Sequence, residues 1–258
     1  MGLASYGEPT YVEELRKLIN LDENGNINCA FHIDKVSKDE EDESLKKWKE
    51  LLSNIIPKRN GKITEVTEDI IPYANLAKSS QVILEEIMCG LIKKYVKETG
   101  INDVCIAGGV GLNCPTSSAV ENMSEVSRVF VQPAANDGGI SLGAAIKGSI
   151  DLGDDVKIEM IPYLGPKYSN EEIEQALKEK QYSYDKFDNI EEVIARLLVE
   201  GKIVANYQGR LELGPRALGN RSLLASPEKY EMLVRMNELK GREVWRPLAP
   251  AVMYDKQE

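Results

Sequence analysis

Val104-Cys105-Ile106-Ala107-Gly108-Gly109-Val110-Gly111-Leu112-Asn113 is a short apolar run that ends in a glycine turn. Consecutive apolar residues bounded by turn residues predict a strand covered on both faces, as in a parallel sheet. Residues 115–123 predict a helix, with Pro115 near its first turn, where the missing N–H costs nothing. The pattern then repeats. Residues 129–132 predict a second strand, Pro133-Ala134-Ala135-Asn136-Asp137-Gly138-Gly139 a second small-residue turn, and 140–147 a second helix. Strand, turn, helix, twice over, is α/β organisation, with ligands expected at the carboxyl ends of the strands.

Upstream, residues 64–98 hold the clearest long helix. Ile83, Ile87, Leu91 and Tyr95 recur every four residues beside Leu84 and Met88, which makes one buried stripe. Pro72 breaks or begins it, and Gly100 stops it. Before that come a turn-rich opening (Gly2, Gly7, Pro9), a helix over 11–19, a turn at Asn24-Gly25-Asn26 and a short strand over 27–33. The acidic run 39–43 leads into a helix over 45–52 and reads as a solvated face. Downstream, periodicity fades over 147–159, which marks a domain boundary or linker. Ser169 with Glu172 forms a capping box for a helix to about residue 180. A helix over 189–200 stops at Gly201, a strand over 202–206 follows, and 227–239 reads as a helix ended by Gly241.

The chain has 258 residues, 42% of them hydrophobic, enough for a packed core in one large or two ordinary domains. Its net charge of −10 opposes binding to nucleic acid or a membrane surface. Six of the ten Arg lie between Arg210 and Arg246, so the basic signal is local and suits a small anion. The four Cys form no CxxC pair and read as reduced, mostly buried thiols. With no signal peptide and no run of eighteen apolar residues, a cytoplasmic location without membrane contact is expected.

The richest chemistry lies in Tyr207-Gln208-Gly209-Arg210-Leu211-Glu212-Leu213-Gly214-Pro215-Arg216-Ala217-Leu218-Gly219-Asn220-Arg221-Ser222. Its glycines allow close backbone approach, and Arg210, Arg216 and Arg221 offer planar forks for phosphate or carboxylate. The alternative is a structural Arg–Glu network using Glu212 and Glu243, which Arg242 and Arg246 could complete. The turn from Gly108 to Asn113 would lay a nucleotide against backbone N–H groups, or is simply a tight turn. Asp137 either ligates a divalent metal or caps the helix after it. His32, the one histidine, sits in an apolar stretch and reads as packed or surface rather than a metal ligand.

Together with Gly2-Leu3-Ala4-Ser5-Tyr6-Gly7, Ala107 to Asn113, Gln132 to Gly139, Tyr163-Leu164-Gly165-Pro166 and Arg242-Glu243-Val244-Trp245-Arg246-Pro247, this loop resembles the carbamoyltransferase family that includes nodulation-type and antibiotic O-carbamoyltransferases. The motifs come in family order and cover nearly the whole chain. Jointly they are specific where each alone is weak.

The resemblance implies an α/β fold in two domains. Residues 1–150 would be the later part of an actin/hexokinase/Hsp70-type ATPase-like carbamoyl-transfer domain. Residues 151–160 would be a linker. Residues 161–258 would start a threonylcarbamoyl-AMP-synthase-like domain that forms carbamoyl-adenylate. It further implies an enzyme that moves a carbamoyl group from carbamoyl phosphate, with ATP, to a hydroxyl of a sugar-like or natural-product acceptor. By that analogy Asp137 is a ligand of a divalent metal, iron or magnesium, and Gly108, Gly109 and Asn113 lie at the nucleotide. Arg216 and Arg221 hold phosphates, with Arg210, Asn220, Ser222, Arg242 and Arg246 as further ATP or carbamoyl phosphate contacts. Family members also extend before the Gly2 motif, where their metal-binding histidines lie, and beyond Glu258. A fragment, a truncated product or one piece of a split enzyme is therefore expected, with a separate amino-terminal half as partner. The alternative is a non-catalytic nucleotide- or phosphate-binding subunit.

Overall fold

The computed structural model describes residues 1–30, 38–61, 63–157 and 161–256, with only the backbone of 38–42. His32 lies outside the described residues, as does the end of the strand expected over 27–33. Two units divide the chain: Met1–Ile106, Gly111–Phe130 and Gly241–Pro247 form one, and Ala107–Val110, Val131–Lys240 and Leu248–Glu258 the other.

The first unit is built on a 29-residue helix, counted as α3 after α1 (Val12–Leu18) and α2 (Lys38–Ser53), spanning Ile71–Thr99. Pro72 begins this helix rather than breaking it, because a first-turn residue has no N–H to donate within the helix. Gly100 ends it in the left-handed conformation at φ 69°, its N–H closing on the Val96 carbonyl. The expected stripe is real: Ile83 and Ile87 are buried with Leu15 of α1, and Leu76 and Leu91 pack around them. Tyr95, by contrast, is 54% exposed at the open end of the stripe.

The opening motif lies along the start of α3. Leu3–Tyr6 forms a short 3-10 turn, the Glu8 N–H donates to the Asn75 side chain at 2.8 Å, and the Tyr11 N–H donates to Ser79 Oγ at 2.9 Å. A Cβ on Gly7 would sit 2.2 Å from the Ala74 carbonyl carbon, well inside contact distance. Gly7→Ala is therefore expected to destabilise this unit by about 1–3 kcal/mol, since backbone cannot yield as a side-chain tip would. A thermal melt no lower than wild type would show that the close approach does not matter.

Strands β1 (Ile19–Leu21) and β2 (Ile27–Cys29) pair antiparallel, and β3 (Asp103–Ile106) pairs with β4 (Arg128–Val131). Ile106 is buried, but Cys105 is exposed, so β3 is not covered on both faces as its apolar run predicts. An apolar run reports a surface that needs cover, not the element that supplies it. For the same reason the thiols of Cys105 and Cys114 are exposed rather than buried. Helix α4 (Cys114–Glu121) follows the glycine turn, capped by Asn113.

The second unit holds α5 (Ile140–Asp151), α6 (Asn170–Glu179), α7 (Ile190–Val199), β5 (Val204–Tyr207), β6 (Arg221–Leu224) and α8 (Tyr230–Leu239). The Ser169/Glu172 capping box is present in full. Strand β6 is an addition to the sequence reading, and it turns the arginine loop into the connection of a hairpin. β5 and β6 pair antiparallel in the register Val204↔Leu224 to Tyr207↔Arg221. Among the described residues no helix is long and apolar enough to cross a membrane.

Candidate functional site

Residues 208–220 join β5 to β6, and a connection of this length needs internal organisation. Glu212 supplies it. Its Oε1 accepts the backbone N–H groups of Leu218 (3.0 Å), Asn220 (2.8 Å) and Arg221 (3.1 Å). Burial pushes this carboxyl up, but the backbone donors of Leu218, Arg221 and Asn220 outweigh it and hold it down at about 2. Glu212 thus belongs to a structural network, though with backbone N–H groups rather than arginines. It is the one acidic residue in the sixteen-residue stretch 207–222, and that isolation is the sequence signal that marks it.

Two other segments of the same unit seat the loop. The 162–166 turn holds it through Gly165 N–H to Leu211 O at 2.9 Å, Leu211 N–H to Pro166 O at 3.0 Å and Leu213 N–H to Pro162 O at 2.6 Å. Tyr163 adds its hydroxyl to the Leu218 carbonyl at 2.9 Å. On another side, Gly214 at φ 95° lies so close to Pro133 that a Cβ would be 2.4 Å from its carbonyl oxygen. Gly108, at φ 91°, donates its N–H to the Ala135 carbonyl at 2.7 Å. The Gly108 turn, the Asp137 turn and the arginine loop therefore meet around residues 133–135.

The expected site residues divide sharply by what their side chains do. Asn220 donates to the Arg210 carbonyl at 2.7 Å, and Ser222 Oγ accepts the Gly219 N–H at 3.0 Å. Arg210 donates to the Gly165 carbonyl at 2.9 Å. Arg221 donates to the carbonyls of Gln208 (2.6 Å), Asn220 (3.0 Å) and Gly209 (3.4 Å), while its guanidinium stacks 3.6 Å from the Tyr207 ring centroid. These four hold the loop in shape. Arg216 is exposed and makes no hydrogen bond or ion pair among the described residues, whereas Arg210, also exposed, is tied to a carbonyl.

Asp137 is exposed and opens a 3-10 turn, Asp137–Gly139, ahead of α5. Neither that turn nor α5 has a side-chain cap, so Asp137 is not acting as one. No group of three His, Cys, Asp or Glu able to hold a metal occurs among the described residues. Asp137 alone does not make a metal site. A Cβ on Gly108 or Gly109 would meet nothing within 4 Å, which leaves that backbone open to approach.

Three expected residues fall in the other unit. Asn113 Oδ1 accepts the Thr116 N–H at 3.3 Å, and its Nδ2 donates to Gln81 at 2.9 Å. Arg242 donates to the Pro247 carbonyl at 3.3 Å, and Arg246 pairs with Glu243 at 3.3 Å.

Comparison with known proteins gives this geometry a setting. Residues 1–146 match the family model described as carbamoyltransferase N-terminus, and 195–258 match carbamoyltransferase C-terminus. Nodulation protein NolO of Bradyrhizobium diazoefficiens is 34% identical over 98% of this chain and 44% of its own length. Nodulation protein NolNO of Sinorhizobium fredii is 33% identical over 98% of this chain and 36% of its own. The 3'-hydroxymethylcephem-O-carbamoyltransferase of Streptomyces clavuligerus is 37% identical over 56% of this chain and 27% of its own. The chain spans less than half the length of the curated relatives it matches. With more than half of its residues under the amino-terminal match and its hairpin loop under the carboxy-terminal one, the chain belongs to the carbamoyltransferase family.

Proposed function

We propose that this chain forms the donor-binding part of an O-carbamoyltransferase that uses carbamoyl phosphate and ATP. The observation that carries the reading is Arg216, exposed and without a hydrogen bond or ion pair among the described residues, on a loop whose other arginines and Glu212 are occupied in fixing its shape. Arg216 is the phosphate-facing residue, and Arg221 adds positive charge from behind the loop. A preorganised cation stabilises charge developing on transferred phosphoryl groups without reorganising at the moment of reaction. The open backbone at Gly108 and Gly109 suits the approach of a nucleotide. Family membership supports the carbamoyl group as cargo, and the name of the Streptomyces clavuligerus relative supports a hydroxyl acceptor.

Atom balance defines the partial reaction. Carbamoyl phosphate, ATP and one water would give carbamoyl-adenylate, one phosphate and one pyrophosphate. The oxygen of a sugar-like or natural-product hydroxyl would then bond to the carbamoyl carbon as the bond to the adenylate breaks, giving the carbamate ester, AMP and a proton. We further propose that residues 1–150 are the later part of an ATPase-like transfer domain and that 161–258 begin the adenylate-forming domain. Asp137 would contribute one ligand to an iron or magnesium ion completed by a separate amino-terminal half. The described residues of this chain do not complete that site, so no step is assigned to the metal.

The lone carboxylate also favours a second reading, a non-catalytic subunit that binds the anions but passes nothing on. One assay separates the two. The chain is supplied with ATP and carbamoyl phosphate, with and without the protein encoded immediately upstream. Pyrophosphate release with carbamoyl-adenylate is expected. Binding of both donors with no pyrophosphate in either arm would establish the non-catalytic reading, and failure to bind either would end both.

A further inference from the structure

Tyr207 is 52% exposed although one face of its ring is already covered. It sits at the last position of β5, directly across the hairpin from Arg221. The Arg221 guanidinium lies 3.6 Å from the ring centroid and is locked there by the carbonyls of Gln208, Asn220 and Gly209. A planar cation so placed fills one face, so a ligand stacking on this half-exposed ring would use the opposite face. An exposed tyrosine alone means little, since apolar atoms make up much of any protein surface. This ring differs in two respects. It is pinned by a guanidinium that is itself held by three acceptors. It also begins the loop that presents the unpaired Arg216.

The geometry points to the open face of Tyr207 as a stacking platform for the nucleobase of the bound nucleotide, an inference that rests on the donor-binding reading above. A guanidinium behind the ring withdraws π-electron density and favours an electron-rich purine in front of it. Stacking of this kind reads no hydrogen-bond pattern, so the platform would orient the nucleotide without selecting adenine over another purine. Tyr207 would then be a binding residue for the base, and Arg216 for the phosphates.

The test is isothermal titration of the 258-residue chain with ATP, inorganic tripolyphosphate and carbamoyl phosphate, for wild type, Tyr207→Phe and Tyr207→Leu. Wild type should bind ATP more tightly than tripolyphosphate. Tyr207→Phe should keep that preference. Tyr207→Leu should lose about tenfold in ATP affinity while tripolyphosphate and carbamoyl phosphate stay within about twofold. An ATP affinity unchanged in Tyr207→Leu would overturn the platform, and so would equal losses for ATP and tripolyphosphate, which would make Tyr207 a prop for Arg221. Wild type binding tripolyphosphate and carbamoyl phosphate but ATP no better would remove the platform and leave the anion loop standing. No binding of any probe would remove both.

Discussion

Glu212→Ala is expected to collapse the hairpin loop. The substitution leaves the N–H groups of Leu218, Asn220 and Arg221 without their acceptor. A buried donor left unsatisfied costs about 1–3 kcal/mol, and these three are part-buried, so a combined loss of about 3 kcal/mol is expected. Arg216 would lose its fixed presentation, and carbamoyl phosphate affinity should fall with stability. Glu212→Gln keeps an oxygen in place and should recover part of the stability, but not its pH dependence. The carboxyl is held at about 2 in the folded chain against an ordinary 4.5. Its contribution is therefore complete above pH 4.5 and disappears as pH falls to about 2. Glu174 titrates in the same window, held at about 2 mainly by Lys178, Lys186 and Tyr184. The informative quantity is accordingly the difference between wild type and Glu212→Gln in urea melts across that range. A difference that does not change with pH would refute the buried-carboxylate account.

Gly214→Ala is the second large effect. The residue sits at φ 95°, and its Cβ would lie 2.4 Å from the Pro133 carbonyl oxygen. Backbone strain alone costs about 1–3 kcal/mol. The collision adds to it, because the atoms met are backbone, which cannot swing aside as a side-chain tip would. Gly219 provides the control: at φ 108° it carries similar strain, but a Cβ there meets nothing within 4 Å. Gly214→Ala should therefore melt below Gly219→Ala and lose more than tenfold in anion affinity, about 1.4 kcal/mol. Equal melts for the two variants would mean that the contact with Pro133 does not seat the loop.

The residues that could be read in advance were those whose chemistry admits few structural roles. The choice between Pro72 breaking and beginning α3 needed the structure, but glycines at positive φ, the Ser169/Glu172 box and the Ile83, Ile87 and Leu91 part of the stripe on α3 announce themselves by type and spacing. Strand β6 did not, because Arg221-Ser222-Leu223-Leu224 alternates no clear polarity and lies in a stretch dominated by turn residues. Nor could Asn220 and Ser222 be placed. A polar side chain beside a glycine turn looks the same in sequence whether it faces a ligand or the loop's own backbone. Within the loop only distances separated Arg216, which faces solvent, from Arg210 and Arg221, which hold carbonyls. The exposure of Cys105 has a similar cause, since hydrophobicity states a need for burial without naming the partner.

On the proposed reading, a carboxylate-braced hairpin presents Arg216 to a phosphate-bearing donor. Isothermal titration of wild type and Arg216→Ala with carbamoyl phosphate tests this, since Arg216 makes no hydrogen bond or ion pair among the described residues. Binding by wild type, a loss of at least about tenfold in Arg216→Ala and identical thermal melts are the predicted result. Equal affinity in the two proteins, with the melts unchanged, would contradict it.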